Sequence, residues 1–190
     1  VQDCSSSDVN ADTKRRIIME EKKYAVLIDG DNISSKYLDS ILNEMTKYGI
    51  ATYKRIYCDF TSQQSSKWRR LVRDSGIQAM QQFANTVGKN ATDSTLIIDA
   101  MDILYTGNVD GFCIVSSDGD FTRLAIRLKE SGMDVIGMGE SKTPRSFRAA
   151  CTVFTDLEIL YEAESEDDEI STKGKKPAVK HNVVKVSEIE

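Results

Sequence analysis

Short apolar runs alternate along this chain with segments of helical period. Residues 24–28, YAVLI, are apolar without interruption and end in Asp29, Gly30, Asp31 and Asn32, which reads as a buried central strand and a tight turn. Leu38, Ile41, Leu42 and Met45 then recur on one helical face before Gly49, a helix that Ser34 or Ser35 can cap. Residues 50–58, IATYKRIYC, are β-rich and run into Asp59. Over residues 63–74, Trp68, Leu71 and Val72 share one side while Lys67, Arg69, Arg70 and Arg73 lie elsewhere; the pattern predicts an amphipathic helix with a basic outer surface. Residues 77–83 predict a strand, 84–92 a loop containing Lys89, and 93–105 a helix. The run 112–115, FCIV, is again wholly apolar and empties into Ser116, Ser117, Asp118, Gly119 and Asp120. Phe121, Leu124, Ala125 and Leu128 resume helical spacing as far as Gly132. Residues 133–138 predict a fifth strand and 146–151 a short helix, after which 153–161 return apolar residues to the core.

Strand and helix therefore alternate, and the fold class is α/β: a mainly parallel five-stranded sheet covered by helices on both faces. The core domain is expected over residues 24–161. Residues 1–18 are polar and lack periodicity, so a disordered leader is expected over 1–23, and the charged segment 162–190 reads as a linker or tail.

Charge changes the picture only through its distribution. The net charge is −5. Residues 24–161 hold 15 Lys and Arg against 17 Asp and Glu, whereas 162–190 hold 5 against 8. If some of the core acids bind a metal, the rest of the core surface is close to neutral, so local patches decide whether a nucleic acid can bind. No apolar run reaches the roughly 20 residues that span a bilayer, and the first residues carry no secretory block, so a cytoplasmic protein without a membrane partner is expected. Cys4, Cys58, Cys113 and Cys151 form no CxxC pair and are expected to be reduced thiols.

The candidate chemistry lies at the strand ends. In a parallel sheet the carboxyl ends of neighbouring strands share one edge, so Asp29, Asp93 and Asp118 can converge there despite their separation in sequence. On a helical wheel of about 100° per residue, Asp93 falls on the apolar stripe of its helix, with Asp99 about 130° away. The same construction places Asp118 about 60° and Asp120 about 100° from the stripe that follows them. Each aspartate taken singly also suits an N-cap. Taken together, three anions must bind protons or a cation, and an oxygen-only set suits Mg²⁺ or Mn²⁺ rather than zinc. Such a site serves phosphate-ester chemistry. The only histidine, His181, lies in the tail. Ser116 can orient Asp118 or hydrogen-bond a phosphate, Lys89 can meet a phosphate at the cleft, and Lys142, Arg145 and Arg148 follow the fifth strand onto the same edge.

LIDGDN at 27–32, TDSTLIID at 92–99 and VSSDGDF at 115–121 resemble, in order and spacing, the motifs of the NYN domain ribonucleases of the PIN-like nuclease superfamily, and FRAACTVFTDL at 147–157 is similar to the segment that closes that domain. The resemblance implies a three-layer, Rossmann-like α/β/α fold and a ribonuclease that hydrolyses RNA phosphodiesters through a water activated by a divalent metal. It maps the acidic site onto Asp29, Asp93 and Asp118, with Asn32, Asp99 and Asp120 as associated polar positions and Asp120 among the metal ligands. Single-stranded RNA is the implied substrate. GKNATDS at 88–94 is similar to a bacterial subgroup often linked to a LOTUS-type module, toward which the tail would be a linker. Two other functions fit parts of the pattern. Asp29-Gly30-Asp31 after a strand resembles a haloacid-dehalogenase-type phosphatase, although Asn32 stands where that family usually has threonine, and a non-cleaving RNA-binding domain would keep the fold without the reaction.

Overall fold

The computed structural model describes residues 21–63, 65–83 and 91–173. The five predicted strands form, each within two residues of its expected bounds: β1 (Lys23–Asp29), β2 (Ile50–Cys58), β3 (Gln78–Gln81), β4 (Gly111–Val115) and β5 (Asp134–Gly139), with a sixth, β6 (Val153–Asp156). All pair in parallel, in the order β3-β2-β1-β4-β5-β6. The helices are α1 (Leu38–Met45), α2 (Ser66–Ser75), α3 (Ala91–Thr106), α4 (Thr122–Glu130), α5 (Arg145–Ala150) and α6 (Leu157–Lys173), with 3-10 turns at Ser35–Tyr37 and Gly119–Phe121.

The sheet thus has six strands where the sequence pattern predicts five. Residues 153–156 are too few and too mixed to show a period, but the edge of β5 offers unpaired backbone groups that they satisfy. The composition change at residue 162 falls inside α6, so the charged segment begins as helix.

Alternation along the strands sorts the core into two layers. Ala25, Leu27, Phe112, Ile114 and Val135 pack with Leu96, Ala100, Leu124 and Phe147 from α3, α4 and α5. Val26, Ile28, Cys113, Val115 and Met138 pack with Leu38, Ile41, Trp68 and Leu157 from α1, α2 and α6. Both faces of β1 and β4 are therefore buried, which explains their unbroken apolar runs. Among the described residues Cys58, Cys113 and Cys151 are buried and unpaired; burial pushes the Cys58 thiol up to about 12 and that of Cys151 to about 11, out of reach of thiolate chemistry. Gly76 ends α2 in the left-handed conformation at φ 62°, a C-cap that favours glycine.

Winding reverses between β1 and β4. From β1 the chain builds outward to β2 and β3, then returns to β4 and builds the other way. The crevice at such a switch point, beyond the carboxyl ends of the strands, is where open α/β sheets take ligands. Among the described residues no helix is long and apolar enough to cross a membrane.

Candidate active site

The strand alternation extends one step past the apolar residues into this crevice. Asp29 follows Ala25 and Leu27, and Ser116 follows Phe112 and Ile114, so both belong to the face covered by α3, α4 and α5. The first turn of α3 carries Asp93. The turn after β4 carries Asp118, which caps the 3-10 turn through Asp118 Oδ1, an acceptor for the Asp120 N–H at 2.9 Å.

Asp93, Asp118 and Asp120 each offer an oxygen within 4.8 Å of the other two, an arrangement that could hold a metal ion. Asp93 is 8% exposed, as its place on the apolar stripe of its helix requires. Burial, and then the charges of Asp29, Asp118, Asp120 and Asp31, raise its carboxyl to about 6. The helical wheel ranks Asp120 low, yet it belongs to the trio because Gly119–Phe121 is a 3-10 turn, where successive side chains are spaced differently from an α-helix.

Asp29 stands beside this trio rather than in it. It is wholly buried, and Oδ2 accepts from Asn32 Nδ2 at 2.8 Å and Ser116 Oγ at 2.7 Å. Among the described residues Oδ1 is buried with no hydrogen-bond partner. Burial raises its pKa, opposed by the Asn32 and Ser116 hydrogen bonds. Ser116 Oγ also accepts the Asp118 N–H at 3.0 Å, so one hydroxyl fixes two of the acids. A bare carboxylate oxygen in the interior is costly unless something electropositive meets it. An oxygen-only donor set with an orphaned buried oxygen beside it fits a hard divalent cation.

Other expected positions lie elsewhere. Both oxygens of Asp99 are engaged, by the Arg55 guanidinium and the Tyr57 hydroxyl on β2, so it pins α3 to the sheet and is not one of the trio. An arginine inside a strand was the sequence signal for this, since a half-buried guanidinium needs a carboxylate. Arg148, expected to contact phosphate, instead folds back on its own loop. Its guanidinium donates to the carbonyls of Thr143, Glu140 and Ser141 at 3.1, 3.2 and 3.0 Å, and it pairs with Asp156 at 3.3 Å. Lys142 pairs with Glu140 at 2.8 Å. Arg145 is exposed at the start of α5, and Lys89 lies outside the described residues. The sequence pattern gave no sign that Trp68 Nε1 would donate to the Gly30 carbonyl at 3.1 Å, tying α2 to the turn after β1. Gly30 is also needed for closeness: a Cβ there would sit 2.9 Å from Ile56 Cδ1 and 3.2 Å from Cys58 Cβ.

A family model described as the NYN domain matches residues 23–158. The uncharacterized protein MJ0482 of Methanocaldococcus jannaschii is 27% identical over 125 residues, 63% of this chain and 48% of that protein, so the chain spans about half the length of this relative. The crystal structure of VPA0982 from Vibrio parahaemolyticus, a protein of unknown function, superposes with a TM-score of 0.60 at 19% identity, covering 72% of this chain and 93% of that one, and is similar in fold.

Proposed function

The chain belongs to the NYN domain family, and on that premise we propose that it is a divalent-metal-dependent ribonuclease acting on single-stranded RNA. The observation that carries this reading is the acid trio at the switch point, with the orphaned Oδ1 of Asp29 beside it. Asp93, Asp118 and Asp120 would hold Mg²⁺ or Mn²⁺, and Asp29 would support the ion from the buried side. A bound dication supplies neutralisation of the acids and of the phosphate oxygens and lowers the pKa of a water to the range of a usable nucleophile.

The chain's own groups prepare that chemistry. Ser116 and Asn32 hold Asp29 through Oδ2 and leave Oδ1 unencumbered. Asp118 is held at both its backbone N–H and its Oδ1, so the turn that carries Asp118 and Asp120 is ordered before substrate arrives. Hydrolysis forms a bond from water oxygen to phosphorus and breaks the bond from phosphorus to the departing ribose oxygen, which takes up a proton.

A haloacid-dehalogenase-type reaction at Asp29 fits less well. A nucleophilic carboxylate must reach phosphorus, whereas Asp29 is wholly buried. Cleavage of single-stranded RNA is expected to require Mg²⁺ or Mn²⁺ and to vanish in Asp118→Asn and Asp29→Asn proteins with a native circular dichroism spectrum. Cleavage surviving both substitutions removes this reading, hydrolysis of a small phosphomonoester instead of RNA favours the phosphatase, and RNA binding without cleavage under any divalent metal leaves a binding domain.

A further inference from the structure

A polar cleft of about 460 Å³ opens between the turn after β1 and the start of α2. Asp31, Asn32, Ser34, Ser35, Ser66 and Lys67 are among its lining residues. Asn32 belongs to the cleft and to the acid site alike, since its side chain holds Asp29. The Trp68 to Gly30 hydrogen bond, made by an indole only 2% exposed, locks the two walls together, so the cleft is formed in advance. Its lining combines hydroxyls, an amide and the Lys67 ammonium, with Asp31 as the opposing acid.

The two flanks of the acid site differ in charge. On the β5 flank, Lys142 is paired with Glu140 and Arg148 is taken up by its loop and Asp156, with Glu158 nearby in sequence, while Arg145 is exposed. On the other flank, α2 carries Lys67, Arg69, Arg70 and Arg73 against the single acid Asp74. Arg69 donates to the Phe60 carbonyl at 2.8 Å, whereas Lys67, Arg70 and Arg73 are exposed at intervals of three residues, about 4.5 Å of rise per step. A second cleft, about 550 Å³, is lined by Lys22, Tyr24, Gly49 and Asp134 at the amino end of the strands and cannot serve the acids at the opposite edge.

Resting on the ribonuclease reading, we propose that the RNA strand enters along α2, with Lys67 holding a backbone phosphate in the Asn32–Lys67 cleft one step from the acid site and Arg70 and Arg73 continuing the track. Phosphate contacts of this kind position a strand without reading its bases. The strand therefore crosses the α2 side of the crevice and not the α5 side.

The test is fluorescence anisotropy of the full chain with a labelled single-stranded RNA of about a dozen nucleotides in EDTA, over about 50 to 200 mM salt, beside steady-state cleavage in Mn²⁺. Lys67→Ala and Arg70→Ala should each weaken binding about fivefold to tenfold and reduce the log–log salt slope by about 0.7. Lys67→Glu should weaken it further, and all three should raise KM much more than they lower kcat. The loss should be the same for different base sequences and for the matching DNA strand. Wild-type slopes in the Lys67 and Arg70 variants overturn the proposal, as does a slope that flattens in Arg145→Ala instead. Cleavage with a KM indifferent to Lys67 removes this track and keeps the ribonuclease; binding that depends on Lys67 in a protein that cuts nothing does the reverse.

Discussion

Replacing Asp93 by asparagine should make the metal-free protein more stable at neutral pH, the opposite of what most substitutions of a buried residue do. The carboxyl stands at about 6 against an ordinary 3.8, a difference equivalent to about 3 kcal/mol between its protonated and ionised forms. Because the folded state binds this proton more tightly than the unfolded chain does, the contribution of Asp93 to stability is greatest below about pH 4. It declines as pH rises and is fully unfavourable above about pH 6. Asp29, also raised by burial, acts in the same direction, while Asp134, lowered by the Lys22 ammonium, acts in the opposite one; both are present in parent and variant, so the comparison with Asp93→Asn reads the Asp93 carboxyl together with its interaction with the neighbouring acids. Urea unfolding in EDTA should find the variant about 2–3 kcal/mol more stable than the parent at pH 7.5 and equal to it near pH 4, with an unchanged m-value. Mn²⁺ at about a hundred times its Kd should restore about 2.7 kcal/mol to the parent and much less to the variant. A variant less stable than the parent at pH 7.5, or a difference that does not change with pH, would refute the claim that this carboxylate is held against burial and the charges of its neighbours until a cation arrives.

Three further substitutions separate the site from its supports. Ser116→Ala removes the donor to Asp29 and the acceptor for the Asp118 N–H; it should cost about 1–3 kcal/mol in urea unfolding and weaken Mn²⁺ binding by calorimetry, and unchanged metal affinity would deny Ser116 its positioning role. Asp99→Asn leaves the Arg55 guanidinium without its carboxylate and should destabilise by about 3 kcal/mol, with Mn²⁺ affinity kept; lost affinity at full stability would put Asp99 at the ion. Arg148→Ala should lower the melting temperature by releasing the carbonyls of Glu140, Ser141 and Thr143 and leave the salt dependence of RNA binding as it was, and a flatter salt slope at an unchanged melting temperature would return Arg148 to the substrate.

The α/β class, the parallel sheet and the strand ends bearing Asp29 and Asp118 were legible in the sequence, because a strand buried on both faces must be apolar without interruption and its end is marked by an abrupt change of polarity. The place of Asp93 on the inner face of its helix followed from the 3.6-residue period. Local pattern could not show which cations were available. Lys142 and Arg148 follow a strand toward the correct edge, and only the folded loop brings Glu140, Asp156 and a set of backbone carbonyls to them. The sixth strand escaped for a related reason, since four residues carry no period and their conformation is decided by the open edge of β5. The sequence by itself therefore determined the buried strands β1 and β4 and the acidic turns in which they end. Tertiary structure decided which aspartates meet, bringing Asp120 into the trio and leaving Asp29 behind it with one oxygen unmatched. Distances between side chains on separate strands and helices depend on packing across the sheet, which no periodicity along one segment encodes.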